Sequence, residues 1–108
     1  MSLKNINTVD FISTDNEEKN VTLTITDELD WEDEINHLRL IQDKVNNYLS
    51  FIESGELYQT YPTSKGKKIE IEIYCKYELT INCEKLFKKL KRFLDDNGYG
   101  FNYKMLDE

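Results

Sequence analysis

A single histidine, two cysteines and a dense run of carboxylates are the groups in this 108-residue chain with the types and spacing for chemistry. Histidine is the side chain that titrates near neutrality, so acid–base work falls to His37 or to a perturbed carboxylate. Asp33, one helical turn earlier, is within hydrogen-bonding reach if the segment is helical. A nucleophile–histidine–acid array also needs a Ser or Cys delivered by the fold, and no spacing nominates one. His37 is therefore read as a boundary histidine packed against a neighbouring segment. Cys75 and Cys83, with one histidine and no close ligand spacing, make a poor zinc set. They are expected to be buried free thiols acting as small apolar side chains, suited to a reducing compartment. Neither a metal nor a cofactor is implied.

Charge is the next source of chemistry. Asp27, Glu28, Asp30, Glu32, Asp33 and Glu34 place six carboxylates within eight residues. The alternating acids and central glycine of a calcium loop are missing. Acids here complement the positive end of a following helix, and part of the cluster is free to meet a cation or a basic partner. Lys85, Lys88, Lys89, Lys91 and Arg92 supply the opposite sign. They are read first as a solvated face and only then as a phosphate or acidic-partner contact, since no aromatic is interleaved for base stacking. Lys65-Gly66-Lys67-Lys68 precedes a strand and lacks the glycines and helix of a phosphate loop.

The elements that must position these groups come from composition and periodicity. The length suits one domain spanning 1–108, with residues 1–5 expected to be disordered or partly vector-derived. Leu, Ile, Val and Phe exceed the roughly one-fifth share below which a charged chain stays disordered. Fourteen basic against 21 acidic residues give a net charge of −7, which argues against nucleic-acid binding through bulk charge. No apolar run reaches the ~20 residues of a membrane span, and no signal-peptide pattern is present, so a cytoplasmic location is expected. The charge is also segregated: residues 1–62 are net negative and residues 63–108 slightly positive.

Val21, Leu23 and Ile25 alternate with threonines, the two-residue period of a half-buried strand. With Val9–Ser13 before it, this run reads as a hairpin closed by a long loop, Asp15–Asn20. Ile69, Ile71, Ile73, Cys75 and Tyr77 form a second clear strand, and Phe101, Tyr103 and Met105 a weaker one. A long helix is expected from an Asp30 N-cap to just before Gly55, with Trp31, Ile35, Leu38, Ile41, Val45, Tyr48, Leu49 and Ile52 on its apolar stripe. A second helix, about Cys83 to Asp96, carries Cys83, Leu86, Phe87, Leu90, Phe93 and Leu94 on its stripe and stops at Asn97-Gly98. The order β-β-α-β-α-β predicts an α+β two-layer sandwich: a mixed four-stranded sheet with two helices on one face. Its other face, with Thr22, Thr24, Thr26, Glu70, Glu72 and Tyr74, is expected to be wet or covered by a partner.

Apolar residues beyond those stripes suggest a surface. Leu40 and Phe51 lie roughly 130–150° from the centre of the long helix's stripe and make a flanking line with Tyr48. Tyr58, Tyr61 and Pro62 follow in a stretch without periodicity. Leu40, Tyr48, Phe51, Tyr58 and Tyr61 are thus the candidate interaction surface. His37, Asp33, Lys85, Lys88, Lys89 and Arg92 are weaker candidates.

Val9-Asp10-Phe11-Ile12-Ser13, Val21-Thr22-Leu23-Thr24-Ile25 and Leu29-Asp30-Trp31, followed by His37-Leu38, Gln42, Lys44, Tyr48-Leu49, Phe51 to Leu57 and Tyr61-Pro62, carry a resemblance. The chain resembles a family of short bacterial proteins of unknown function, best over residues 9–68. The resemblance implies a bacterial, intracellular, stand-alone domain and carries over no functional residue. The expectation is a small non-catalytic cytosolic interaction module, binding a protein partner or itself, with an inhibitor or immunity-type protein as one version. The alternative is a small-molecule binder or minor enzyme with a pocket between sheet and helices near His37, Tyr58 and Tyr61.

Overall fold

The computed structural model describes residues 11–15, 20–64 and 66–106. Its strands are β1 (Phe11–Asp15), β2 (Asn20–Asp27), β3 (Lys68–Cys75) and β4 (Gly100–Met105). Its helices are α1 (Glu34–Glu53), α2 (Glu56–Thr60) and α3 (Ile81–Asp96), and a 3-10 turn follows α2 at Pro62–Ser64. The sheet order is β1-β2-β3-β4, so every strand lies beside its sequence neighbour. β1 runs antiparallel to β2, whereas β2–β3 and β3–β4 are parallel. Parallel neighbours need a crossover, and α1 and α3 provide the two. The chain is therefore α+β with a four-stranded mixed sheet, as its periodicities predict, and with a third, short helix that they do not.

The alternating side chains of β2 and β3 explain the core. Val21, Leu23 and Ile25 pair in register with Ile69, Ile71 and Ile73, and all six are buried. Ile41, Val45, Tyr48, Leu49 and Ile52 of α1 join the same cluster with Cys83, Phe87, Leu90 and Leu94 of α3. Tyr48 is fully buried and donates its hydroxyl proton to the Thr24 carbonyl at 3.0 Å. Lys44 is buried beside it, with its ammonium 5.5 Å from the Tyr48 ring centroid.

Several boundaries differ from those expected, each for a local reason. α1 begins at Glu34 with Asp33 as N-cap, accepting the Asn36 N–H, and not at Asp30. The Asp30 carboxylate instead caps a turn through the Glu32 N–H. The short turn takes Trp31 off the helix stripe, and Ile35, expected on that stripe, is 82% exposed. Thr80 caps α3, so this helix starts two residues before Cys83. It ends as expected: Gly98 at φ +84° lets its own N–H reach Asp95 and the Tyr99 N–H reach Leu94, a paired closure of the last turn. Phe93, also expected on an apolar stripe, is exposed. Tyr77 lies beyond β3 and is likewise exposed. The stretch after Gly55, read as aperiodic, contains α2, whose Leu57 is completely buried. The second sheet face is not simply wet, because Thr24 and Glu72 are buried on it. The expectations for residues 1–5, Val9, Asp10 and the centre of the Asp15–Asn20 loop fall outside the described residues.

Ile71, at the centre of the sheet, has no exposed surface. Ile71→Ala should cost about 2–5 kcal/mol in urea unfolding. Removal of the α3 cap by Thr80→Ala should cost about 1 kcal/mol in the same assay.

Candidate functional site

The loop from β2 to α1 folds back over the C-terminal ends of the parallel strands and encloses His37. Asp27, the last residue of β2, and His37, in the second turn of α1, meet at 2.6 Å between Oδ2 and Nε2, each about 3% exposed. The second ring nitrogen, Nδ1, donates to the Asp30 carbonyl at 2.9 Å. The other Asp27 oxygen accepts the Leu29 N–H at 3.1 Å. Trp31 lies flat on the imidazole, with centroids 3.8 Å apart and planes 23° from parallel. Its indole N–H is fixed to the Glu78 carbonyl at 2.9 Å.

This geometry decides what His37 can do. A carbonyl and a carboxylate are both acceptors, so each ring nitrogen must face its partner through a proton. One proton sits on Nδ1 and a second lies between Nε2 and Oδ2. Neither nitrogen keeps a lone pair for a substrate, and Trp31 covers one ring face. A general base needs a nitrogen within reach of the proton it abstracts, and His37 has none to offer. The pair is a structural tie between β2 and α1. The expected partner Asp33 is occupied as the helix cap, and His37 is buried, not at a boundary.

The cysteines lie close by and are equally sealed. Burial, followed by the negative charge of Asp27, raises the Cys75 thiol from 9.0 to about 12. Burial also raises Cys83 to about 12, with smaller contributions from Cys75, Asp27, Glu34 and Glu84. A nucleophilic cysteine needs the opposite shift. Among the described residues no three His, Cys, Asp or Glu side chains converge as metal ligands. At the mouth of this region Glu34 is held below the usual carboxylate range by hydrogen bonds from Thr80 and Asn82, which join the starts of α1 and α3.

An open groove lies elsewhere, between α3 and β4, the last strand of the described order. A groove of about 400 Å³ is lined by Glu84, Phe87, Lys88, Lys91, Phe101, Asn102 and Tyr103. Phe87 meets Phe101 edge-on at 5.5 Å and Tyr103 at 5.1 Å, giving an aromatic floor. The α3 wall carries Lys88 and Lys91, the latter 3.7 Å from Asp95. Tyr103, which lines the groove, is 43% exposed. Among the described residues no strand pairs with the outer edge of β4. On the edge itself Asn102 donates to Glu72 at 2.9 Å and accepts the Tyr103 N–H at 2.9 Å.

The sequence-derived surface divides in two. Tyr48 is interior and drops out of any docking face. Leu40, Phe51 and Tyr58 are partly buried against the core, and Tyr61 is 40% exposed. His37, Tyr58 and Tyr61 do not line the α3–β4 groove or the depression beside it. Lys85, Lys88, Lys89 and Arg92 are exposed as expected, but only Lys88 of these lines the groove floor's edge. Sequence reasoning missed the groove. Its signal was the alternation Phe101, Tyr103, Met105 on a strand with no partner beyond it.

Breaking a buried pair from one side leaves a desolvated group behind, so Asp27→Ala and His37→Ala should each cost about 3–5 kcal/mol. The double variant should cost clearly less than the two single costs together, as urea unfolding of all four proteins would show. At pH 8 the native thiols should ignore Ellman's reagent and react only on unfolding. A folded-state value raised to about 12 stabilises the fold fully below pH 9, and that contribution is lost as pH rises toward 12. The Cys75→Ala/Cys83→Ala protein should therefore lose less stability between pH 9 and 12 than the parent.

No curated protein and no solved structure matches the chain. The model of a family of unknown function (DUF6572) matches residues 1–107, well beyond the stretch that carries the resemblance in sequence, and the chain belongs to that family.

Proposed function

We propose that this protein is a small non-catalytic interaction module of the bacterial cytoplasm whose docking face is the α3–β4 groove. The observation that carries the reading is the open aromatic groove beside an unpaired strand edge. The groups with chemical potential point the same way: His37 has both nitrogens engaged, and both thiols are held neutral. No helix among the described residues is long and apolar enough to cross a membrane, which is compatible with the location. The reading takes α1 and α3 to share one sheet face, since both contribute to the single buried cluster with Val21, Leu23, Ile69 and Ile71. The α1 flank, represented by exposed Tyr61, is the competing surface on the same module.

Site-specific photocrosslinking separates these surfaces. A benzophenone amino acid at Tyr103 should yield a discrete protein adduct in host cells, and one at exposed Gln42 should not. An adduct at Tyr61 alone would move the docking face to the α1 flank. No adduct at any of the three positions would overturn the module reading.

A further inference from the structure

We propose that Asn97 is a deamidation site that the closure of α3 holds unreactive and that opening of the turn into β4 releases. The site is independent of the docking reading. Asn97 is the sequence's one asparagine followed by glycine, and the missing side chain at Gly98 leaves its backbone nitrogen room to attack the neighbouring amide. Both residues are exposed, so water, the co-reactant, has access. The Gly98 nitrogen loses its proton and bonds to Asn97 Cγ, while the Cγ–Nδ2 bond breaks and ammonia leaves with that proton. Water then opens the resulting five-membered imide at one of its two carbonyls, giving aspartate or isoaspartate. Nothing is oxidised or reduced.

The folded turn opposes each part of this step. Ring closure brings Cγ and the Gly98 nitrogen to the same side of the Asn97 Cα–C bond. Asn97 instead sits at ψ 7°, where the Gly98 nitrogen eclipses Asn97's own nitrogen. The Gly98 N–H is donated to the Asp95 carbonyl at 3.1 Å, and the Tyr99 N–H to the Leu94 carbonyl at 2.8 Å. The amide that must leave is held as well, since Asn97 Nδ2 donates to the Phe93 carbonyl at 2.8 Å. Rotation to the reactive ψ therefore breaks the last turn of α3, and local opening of that turn sets the rate.

Conversion weakens the same turn. It removes the donor to Phe93 and adds a carboxylate beside the exposed Asp95 and Asp96 at the negative end of the helix. The isoaspartate form also lengthens the backbone by a methylene where α3 passes into β4. Little slack exists there, because a Cβ on Gly100 would stand 3.3 Å from Glu70 Cγ.

The test is mass spectrometry with peptide mapping on three samples held at pH 8: the folded protein, the same protein in unfolding guanidinium chloride, and a synthetic peptide of residues 93–102. The peptide and the unfolded chain should convert Asn97 at similar rates, and the folded protein about tenfold more slowly or less. Asn97→Asp, which reproduces the aspartate product, should lower Tm. Gln42→Glu adds the same charge at an exposed position on α1 and should not. A folded-state rate equal to or above the peptide's would overturn the guarding role of the turn. Conversion confined to other asparagines in the unfolded chain would overturn the site, and an unchanged Tm for Asn97→Asp would overturn its coupling to α3.

Discussion

The tie between Asp27 and His37 is the constraint on which the arrangement of this protein depends. It joins the last residue of β2 to the second turn of α1 and so fixes where the crossover to β3 begins. Burying two such groups is tolerable only when every polar atom finds a partner. Here Asp30 and Leu29 supply the remaining hydrogen bonds, and no described buried side-chain polar atom is left without one. Trp31 extends the tie to the far side of the sheet end, because its indole is pinned to the Glu78 carbonyl before α3. Through Glu34 and Asn82 the two long helices are then joined at their starts. Groups that look catalytic in isolation thus hold the crossovers in register.

The same constraint closes the region where an α/β protein would usually bind a ligand. Ligands in open parallel sheets favour the carboxyl ends of strands at a point where strand order reverses. β2, β3 and β4 follow one another without reversal, so their order supplies no such switch point. Past the end of β3, Trp31 of the β2–α1 loop is bonded to the Glu78 carbonyl and stacked on His37. The described groove lies at the side of the sheet, between β4, the last strand of the described order, and α3.

What the sequence disclosed follows the range of the forces involved. Strand alternation in Val21–Ile25 and Ile69–Cys75, the Asn97-Gly98 stop and the β-α-β connection to β4 are local or topological, and they were legible. The α1 start was misplaced because Asp30 and Asp33 are both competent caps, and a long-range contact from Asp27 to His37 selected between them. Helical spacing nominated Asp33 as the histidine's partner for the same reason: periodicity sees three or four residues, whereas the true partner lies ten residues away across a turn. Tyr48 was misjudged as surface because an apolar stripe gives no measure of how far neighbouring elements wrap around it. Leu57 was missed because five residues of α2 are too few to show a period. The groove was invisible because it needs two facts absent from local pattern: that β4 is terminal in the sheet and that α3 does not cover Tyr103.

The β4 edge carries its own argument about selectivity. Leu106 donates its N–H inward to Cys75, so by alternation the Tyr103 N–H points outward, toward any added strand. That donor is already taken by the Asn102 side chain, which Glu72 holds in place, and Lys104 adds a charge alongside at 3.7 Å from Glu72. An edge guarded in this way resists indiscriminate strand addition. Backbone pairing alone then gives an added strand little, and the accessible chemistry beside this edge is that of the groove's side chains. Phe87, Phe101 and Tyr103 form the apolar part of that groove, and Glu84, Lys88 and Lys91 set both signs of charge along it. A blunted edge of this kind disfavours edge-to-edge aggregation while leaving the groove beside it open.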